Sequence, residues 1–536
     1  MRQNYAKYTL AVLGLAVGLA SASCTDLTET PYDQVTATNF HPGPQDLASL
    51  IAPAYTPLRA LWMGWYGNID TQEESADELI TPVRPNGWFD QGTYIRMHQH
   101  KWDANQGQPG SLWGNAFNGI NAANLVLYQI DSGVVPTDDV TKKSLDAELR
   151  GLRAYYYYLL LNNFGNVPIV TNFKSADIPK QSSRKEVYDF VVSELSTVIP
   201  DLSEETGEAT YGRMNKWAAL SILARTYLNA EVYTGTPAYD KVIETTDQII
   251  NANKYQLDAS YRTPFSKNND KNSVENIWAV PYDDVNGTES CFHMKTLKPD
   301  LKQVFNLAAT PWGGSASTPQ FIDTYDPDDH RLQDTWLIGP HFTADSVGYD
   351  FVKFVPSIFH TDFGNGYPVW KYEIYAGETG ASDVDYPIVR YAEVLMMKAE
   401  ALLRTGQADA AAQIVTEVRQ RDFASNPAKA TVTGAELMQG SVYNYGWQDT
   451  DGVVKDAAGG TPTTGGGDNI KYGRFLDELG WEFAIEGHRR TDLIRFGVFT
   501  TKSWFNHVPN GDFRSLFAIP SDAIATNANL TQNPGY

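Results

Sequence analysis

The sequence predicts a mainly α-helical fold, in which paired helices form a scaffold that a long loop-rich segment interrupts. The first observation lies in residues 386–421, where Ile388, Ala392 and Leu395 belong to a series of apolar side chains spaced three and four residues apart. That spacing places them on one face of a helix. Gly406 follows the last position of the series and is a usual helix stop. A second apolar stripe begins at once, so the segment is predicted to be a hairpin of two helices.

Such a hairpin cannot bury its apolar faces alone, and similar helical patterns recur along the chain, which is the second observation. The pairs resemble the tetratricopeptide type, whose repeat is about 34 residues. One helix carries the tyrosines Tyr155 to Tyr158, which point all round it, so most of them are predicted to pack in the core. Outside the hairpin, the predicted helices cover residues 45–61, 113–131, 146–164, which carries the four tyrosines, 183–200, 213–230, 239–254 and 477–496.

The third observation is the composition of residues 255–385, which are rich in Pro, Gly, Asn, Asp and aromatic residues and show little helical period. We expect a loop-rich, irregular subdomain there, with a few short strands, packed on the helical scaffold. The scaffold is expected at residues 45–254 and 386–536, so that residues 45–536 form one unit.

Residues 1–23 have the features of a secretory signal: a charged start, a short apolar run, and small residues that lead directly to Cys24. The run is too short for a membrane-spanning helix. Small residues followed by cysteine resemble the lipobox of bacterial lipoproteins, in which the cysteine is acylated. The alternative is an ordinary signal peptide with an incidental cysteine. We favour the lipobox, with residues 24–44 as a lipidated tether, and the acidic Asp26 and Glu29 resemble a surface-export signal of Bacteroidetes lipoproteins.

The charge balance narrows the range of partners. A net charge of −22 argues against nucleic acid and anionic lipid, because both require basic patches. It suits a neutral ligand, and it is equally explained by solubility alone. The chain has two cysteines, Cys24 and Cys291, so no disulfide framework holds it together. We expect no cofactor.

Two features could suggest a metal, and both have a simpler explanation. His98 and His100 are two residues apart and do not share a helical face, so hydrogen-bonded loop histidines are favoured over ligands. The acidic run at residues 323–329 lacks the alternating ligand spacing of an EF-hand loop, so a solvated turn is favoured. No metal site is predicted.

Acid–base chemistry is suggested by one segment, residues 478–497, which contain Glu486, His488, Arg490 and Asp492. On a helix Glu486 and Arg490 are four residues apart, as are His488 and Asp492. Such pairs stabilise a helix, so a structural role is predicted.

Six segments in this order resemble the SusD/RagB family, the surface glycan-binding lipoproteins of Bacteroidetes that cap TonB-dependent outer-membrane transporters. The resemblance implies a helical half that contacts a SusC-like transporter and a variable, loop-rich half that holds the glycan. It also implies a lipid-anchored protein of the outer membrane, exposed on the cell surface. The segments are the Cys24 lipobox and residues 148–170, 212–228, 386–403, 478–497 and 518–536.

A neutral glycan presents hydroxyls and apolar C–H faces, so its site needs flat aromatic side chains and a few fixed polar groups. Trp312 lies between Pro311 and two glycines, and Trp88 lies in a similar turn. Both positions fall where the SusD/RagB family tends to carry its ligand-binding aromatic residues. We predict that these two tryptophans bind the glycan.

Further candidates lie near these two positions or in loops of similar composition, such as residues 70–102. Cys291 either lines the pocket or is a small buried hydrophobe. Trp217, Trp278 and Trp481 are predicted to be core residues. The second-rank candidates are the aromatic residues Trp65, Tyr94, Tyr282 and Phe292 and the hydrogen-bonding residues Asp70, Arg84 and Asn86.

These features together predict a non-catalytic protein that binds an oligosaccharide or polysaccharide at the cell surface and delivers it to a transporter. One alternative is a surface glycoside hydrolase, which would need two carboxylates about 5–10 Å apart, and no motif singles out such a pair. The other is a helical-repeat scaffold that binds only protein.

Overall fold

The computed structural model describes residues 42–85, 88–456 and 460–536. The predicted signal peptide, Cys24, most of the predicted tether and Asn86 lie outside these ranges. Within them the chain is mainly helical, with short strands in three two-stranded antiparallel sheets. The predicted fold class is confirmed.

The long helices of the first part lie within several residues of their predicted bounds, and local capping starts some of them. The Asp138 side chain accepts a hydrogen bond from the Thr141 N–H at 2.8 Å, and Ser183 and Glu186 form a capping box. The helices are α1 (Pro44–Tyr55), α2 (Pro57–Met63), α3 (Asn68–Glu73), α4 (Thr93–His98), α5 (Gly107–Asp131), α6 (Asp139–Asn163), α7 (Arg184–Val198), α8 (Lys216–Leu228), α9 (Ala230–Thr234) and α10 (Tyr239–Asn251). The predicted helix 45–61 is two helices, and three short helices, α3, α4 and α9, were not predicted.

The longer helices pack in chain order, as helical repeats do: α5 against α6, α6 against α7, α7 against α8, and α8 against α10. All four tyrosines of α6 are buried, as predicted. Two of them tie α6 to the first helices, because Tyr155 accepts a hydrogen bond from the Trp62 indole at 3.0 Å and Tyr156 donates to the Ala54 carbonyl at 2.7 Å. Trp217, Trp278 and Trp481 are also buried, in agreement with the prediction.

The C-terminal part continues the same scaffold. The helix at 391–404 packs on α10 and on the helix that follows it. Gly406 has a φ of 84° and ends the first of these helices, as predicted. The helices are α16 (Tyr391–Arg404), α17 (Ala408–Gln420), α18 (Gly434–Leu437), α19 (Gly473–Phe483), α20 (Arg489–Arg495) and α21 (Ser521–Thr526).

The loop-rich segment lies between α10 and α16, two helices that pack against each other. Strand β2 (Asn276–Val280) pairs antiparallel with β6 (Tyr386–Arg390), with Val280 opposite Tyr386, so the segment leaves and rejoins the scaffold at one place. The elements between α10 and α16 are α11 (Asn269–Asn272), α12 (Phe292–Thr296), α13 (Leu301–Val304), α14 (Pro319–Ile322) and α15 (His330–Thr335), with β2 (Asn276–Val280), β3 (Ala316–Ser317), β4 (Gly339–Phe342), β5 (Gly348–Phe351) and β6 (Tyr386–Arg390); β1 (Leu79–Ile80) lies earlier.

The strand β6 corrects one prediction, because Ile388 was expected on the first turn of a helix. Ile388 is buried, but it lies in a strand that pairs with β2. A short apolar run is compatible with either structure, and here a partner strand from more than a hundred residues earlier decides between them.

The segment 477–496 is a second correction, because it was expected to be one helix. The chain turns between α19 and α20, where Ile485 and Gly487 have φ angles of 61° and 77°. The predicted pairs along a helix are therefore absent: Arg490 donates to the Ser515 carbonyl at 2.7 Å, and Asp492 pairs with Arg495 at 2.7 Å. The residues keep a structural role, through different partners.

A buried network of charges joins the inserted segment to the scaffold. Arg390, at the end of β6, donates to Glu275, Glu482 and Glu486, each at 2.7 Å. Arg331 of α15 donates to Glu482 at 3.1 Å. These side chains are at most 2% exposed. Removing Arg390 would take one buried positive charge away from three buried carboxylates.

Candidate functional site

Two short strands bring the candidate loops together. Strand β1 pairs antiparallel with β3, with Leu79 opposite Ser317 and Ile80 opposite Ala316. The loop that carries Trp88 follows β1, and the loop that carries Trp312 precedes β3. Two tryptophans far apart in the sequence therefore lie on adjacent loops.

Five aromatic rings form a continuous cluster here, which we call the aromatic platform: Trp65, Tyr66, Trp88, Tyr94 and Trp312. The ring of Trp65 lies 5.2 Å from that of Trp312 and 5.6 Å from that of Tyr66. Tyr66 lies 6.2 Å from Tyr94, which stacks on Trp88 at 5.9 Å. Trp65 is 41% exposed, and Trp88, Trp312 and Tyr66 are partly exposed. The platform thus offers several ring faces to a ligand.

Two glycines give the platform its shape. A Cβ at Gly314 would lie 2.0 Å from the Trp88 ring, so the tryptophan rests directly on the glycine backbone. Gly313 has a φ of 86°, which favours glycine. The loop is held from below, because Trp312 N–H donates to the Met294 carbonyl at 2.7 Å and Gly314 N–H to the Lys295 carbonyl at 2.6 Å. The two glycines therefore leave Trp312 accessible, and Gly314 also provides the backbone surface on which the Trp88 ring packs.

Replacing Gly314 by alanine is expected to displace the Trp88 ring, since its new Cβ has no space. Oligosaccharide affinity should fall about tenfold, the contribution of one stacked ring. Isothermal titration calorimetry checks this, with Gly110→Ala as the matched control because nothing lies within 4 Å of a Cβ there. Equal affinity of the two variants would contradict this role for Gly314.

Three predicted contact residues are buried: Tyr94 is the inner ring of the platform, and Asp70 and Phe292 lie beneath it. Asp70, Tyr94 and Phe292 are buried and surround the buried ammonium of Lys295. Asp70 pairs with Lys295, whose Nζ lies 5.5 Å from the Tyr94 ring centre and 5.1 Å from that of Phe292. Burial raises the pKa of Asp70, and Lys295 opposes that rise. The prediction of direct ligand contact is contradicted for these three, because none reaches the surface.

Arg84 and Tyr282 are also buried, which contradicts direct contact for them as well. Arg84 holds three loops together: it donates to the carbonyls of Gly314 at 3.2 Å, Asp362 at 2.5 Å and Asn365 at 2.7 Å. Burial lowers the pKa of Arg84 to about 9. The Tyr282 hydroxyl donates to the Arg59 carbonyl at 2.7 Å and fixes α2.

Cys291 is partly exposed, and burial raises the pKa of its thiol to about 11. The thiol lies 3.7 Å from the Met63 carbonyl, at the end of the helix that precedes Trp65. It therefore stays protonated at neutral pH and adjoins the base of the platform. Asn86 and Cys24 lie outside the described residues.

One platform residue, Tyr66, and one residue beneath the platform, Lys295, were missed by sequence reasoning. Tyr66 donates a hydrogen bond to Asp90 at 2.5 Å, and its ring lies on Gly107, where a Cβ would be 2.6 Å away. The signal was available, because Gly64 and Gly67 bracket Trp65 and Tyr66 in a tight turn. Lys295 carried no signal, since its partner Asp70 lies 225 residues away in the chain.

The histidines and the acidic run have structural partners. His98 is buried with its Nε2 at hydrogen-bond distance from the Phe505 carbonyl, and His100 lies 2.8 Å from the Ser75 carbonyl. Burial lowers the pKa of His98 to about 4. Asp326 and Asp328 both pair with Lys429. In residues 42–85, 88–456 and 460–536 no group of three or more potential ligands is arranged to hold a metal ion.

Two carboxylates, Glu74 and Glu78, are buried just before strand β1 and have raised pKa values. Burial raises the pKa of Glu74 to about 7, and Glu74 accepts hydrogen bonds from Thr81 and, at 3.1 Å, from Ser315. Glu78 behaves similarly, with a pKa raised to about 7. Between the ordinary value of 4.5 and about 7, the folded chain holds protons that the unfolded chain has released. Stability is therefore expected to fall as pH rises through this window.

The variant Glu74→Gln removes one such titration. Between pH 5 and pH 8 we expect the wild type to lose about 3 kcal/mol more unfolding free energy than the variant. Denaturant unfolding at several pH values measures the difference. Parallel pH profiles for the two proteins would contradict this role for Glu74.

Fold and site together define a class of protein: a helical-repeat scaffold that carries an aromatic platform on loops, one of them inserted between neighbouring helices. A family model described as "Starch-binding associating with outer membrane" matches residues 33–228. A second model, described as "SusD family", matches residues 363–536. The chain belongs to the SusD family.

Relatives and solved structures agree with this membership. Starch-binding protein SusD of Bacteroides thetaiotaomicron is 28% identical over 604 aligned residues that cover all of both chains. Surface glycan-binding protein A of the same organism, solved with laminarihexaose, has a TM-score of 0.68 at 19% identity and covers 91% of this chain and 99% of its own. A SusD superfamily protein of Parabacteroides distasonis has a TM-score of 0.70 at 19% identity, covering 94% and 100%. Among the helices described, none is long and apolar enough to cross a bilayer.

Proposed function

We propose that this protein is a non-catalytic glycan-binding lipoprotein of the outer-membrane surface that delivers oligosaccharide to a TonB-dependent, SusC-like transporter. The observation that carries the proposal is the aromatic platform, in which Trp65, Trp88 and Trp312 present partly exposed faces in one continuous cluster. Flat apolar faces beside polar groups match the C–H faces and hydroxyls of a sugar.

Polar groups at the platform complete the match. The Asp90 carboxylate accepts from Tyr66 and keeps further acceptor capacity at the platform edge. The indole N–H of Trp312, whose side chain is partly exposed, is a hydrogen-bond donor at the same surface. One acceptor and one donor beside stacked rings suit neutral hydroxyl groups, and the net charge of −22 disfavours an acidic glycan.

The carboxylates near the platform support binding over hydrolysis. A glycosidase needs an acid and a second carboxylate that both face the sugar. Asp70 is fully buried and paired with Lys295, Glu74 is also buried, and Asp90 is hydrogen-bonded to Tyr66. Asp90 is thus left without an evident catalytic partner.

Location and partner rest on the family and on the N-terminus. One matching family model is described as associating with the outer membrane, and Cys24 in its lipobox would supply the anchor. The stacked helices of the scaffold offer a rigid surface to the transporter, while the loops that carry the platform hold the sugar. Acylation at Cys24 would hold the scaffold and the platform at the membrane surface.

Affinity electrophoresis of the chain without residues 1–24 tests the proposal against starch, laminarin, xylan, mannan and galactan. We expect retarded migration in at least one gel, with no new reducing ends after incubation with that polysaccharide. Release of reducing ends would favour a hydrolase, and no retardation by any of the five would favour a scaffold that binds only protein.

A further inference from the structure

A second cleft, of about 900 Å³, is lined by none of the five platform residues. Its walls are the helix α5, the segment 168–182 and the C-terminal residues 522–530. Two of the segments that marked the family in the sequence, residues 148–170 and 518–536, both contribute to this cleft, through residues 168–170 and 522–530. Pockets of this size accommodate small-molecule ligands.

The lining carries side-chain amides that are not used within the fold. Asn118 and Asn121 are exposed and three residues apart on α5, so they lie on the same side of the helix. In the described part of the chain their side chains make no hydrogen bond, whereas Asn115 on the same helix donates to the Ser111 carbonyl at 3.0 Å. Each free amide offers a donor and an acceptor, which is the complement of a pair of sugar hydroxyls.

Aromatic rings stand beside these amides. Trp113 is partly exposed and is held by Phe117 at 4.8 Å and by Phe164 at 5.1 Å. Phe173, at the rim, is 44% exposed. Rings fixed by neighbours provide apolar surfaces for C–H groups at little entropic cost.

The opposite wall is rigid. Asn527 donates to the Pro179 carbonyl at 3.0 Å, and Asn529 donates to the Ile178 carbonyl at 2.9 Å. Gln181 and Thr531 exchange two hydrogen bonds of 3.0 Å. The C-terminal segment is thereby fastened to the loop 168–182, so the cleft is formed before any ligand arrives.

The charged residues that line the cleft indicate which class of ligand it suits. The charged residues of the lining are Asp177, Lys180 and Asp522, which leave a small net negative charge. The net negative charge of the lining would repel an anionic ligand. A site for a cationic ligand would need more carboxylates than these two. Amides, hydroxyls and aromatic rings with little net charge suit a neutral, polyhydroxylated molecule.

We propose that this cleft is a second binding site for neutral oligosaccharide. The inference rests on the proposed function for its ligand class, and its location is independent of the platform. Two sites on one chain let a polysaccharide engage both, which raises its apparent affinity above that for a short fragment.

The test compares a cleft variant, Asn118→Ala with Asn121→Ala, and a platform variant, Trp88→Ala with Trp312→Ala. Affinity electrophoresis uses whichever of the five polysaccharides retains the wild type most strongly. We expect the platform variant to keep residual binding, which drops about tenfold further when the cleft substitutions are added. Asn115→Ala is the matched control and should bind as the wild type does.

Several outcomes would overturn the inference. If the platform variant alone abolishes all binding, or if the combined variant binds as the platform variant does, the cleft is not a sugar site and the proposed function stands. If the cleft variant keeps full glycan affinity but no longer associates with the co-expressed transporter, the cleft is a protein-docking surface. No binding by the wild type in any gel would remove the proposed function, and with it this inference. Phe173→Ala, at the exposed rim, provides a second cleft variant if the asparagine pair alters folding.

Discussion

Replacing Trp88 and Trp312 together by alanine is expected to weaken binding of a neutral oligosaccharide by about 30- to 150-fold. The reason is the loss of two stacking surfaces, each of which contributes about 1–1.5 kcal/mol beyond its burial. The variant should fold normally, because both rings are partly exposed and neither belongs to the core. Isothermal titration calorimetry measures the change in affinity, with an oligosaccharide derived from the polysaccharide that retards the wild type.

The matched control for this pair is Trp447→Ala. Trp447 is also partly exposed, but its ring faces Lys455 at 5.6 Å and has no contact with the platform rings. Its replacement should leave the affinity unchanged. An affinity loss shared by the control and the double variant would point to a general effect on the fold, and the assignment of the site would fail.

Replacing Arg390 by methionine is expected to lower the unfolding free energy by about 3–5 kcal/mol. Methionine fills a similar volume but removes the cation that Glu275, Glu482 and Glu486 share. The remaining partners, Arg331, Arg421 and Lys371, then face the same carboxylates with one positive charge fewer. These carboxylates are at most 2% exposed, so water cannot replace the lost donor. Denaturant unfolding, followed by circular dichroism, measures the change.

An exposed ion pair supplies the control for Arg390. Lys185 and Asp189 lie 2.6 Å apart on α7 with side chains 66% and 53% exposed, so Lys185→Met should leave the midpoint almost unchanged. A midpoint for Arg390→Met that matches this control would show that the buried network does not hold the inserted segment to the scaffold.

The fold followed from the sequence where the signal was local. Helical periodicity located the long helices, and Gly406 ended α16 as expected. Two local patterns were misleading, because tertiary contacts decided the outcome. Residues 386–390 pair with a strand at 276–280, and residues 484–488 turn so that Glu486 meets Arg390. Neither partner can be read from the segment itself.

The site was also predictable only where the sequence signal was local. Turns with proline and glycine indicated that Trp88 and Trp312 are presented by loops, and the structure brings these loops together through β1 and β3. Which polar residues would face a ligand was not predictable. Asp70 and Arg84 look like binding residues in the sequence, but each is buried against partners more than two hundred residues away.

Sugar binding on the aromatic platform can be observed in a crystal structure of the protein with a bound oligosaccharide. We expect sugar rings stacked on Trp88 and Trp312, with Trp65 alongside and Asp90 within hydrogen-bond reach of a hydroxyl. A structure in which the oligosaccharide occupies another surface while the platform stays empty would contradict it.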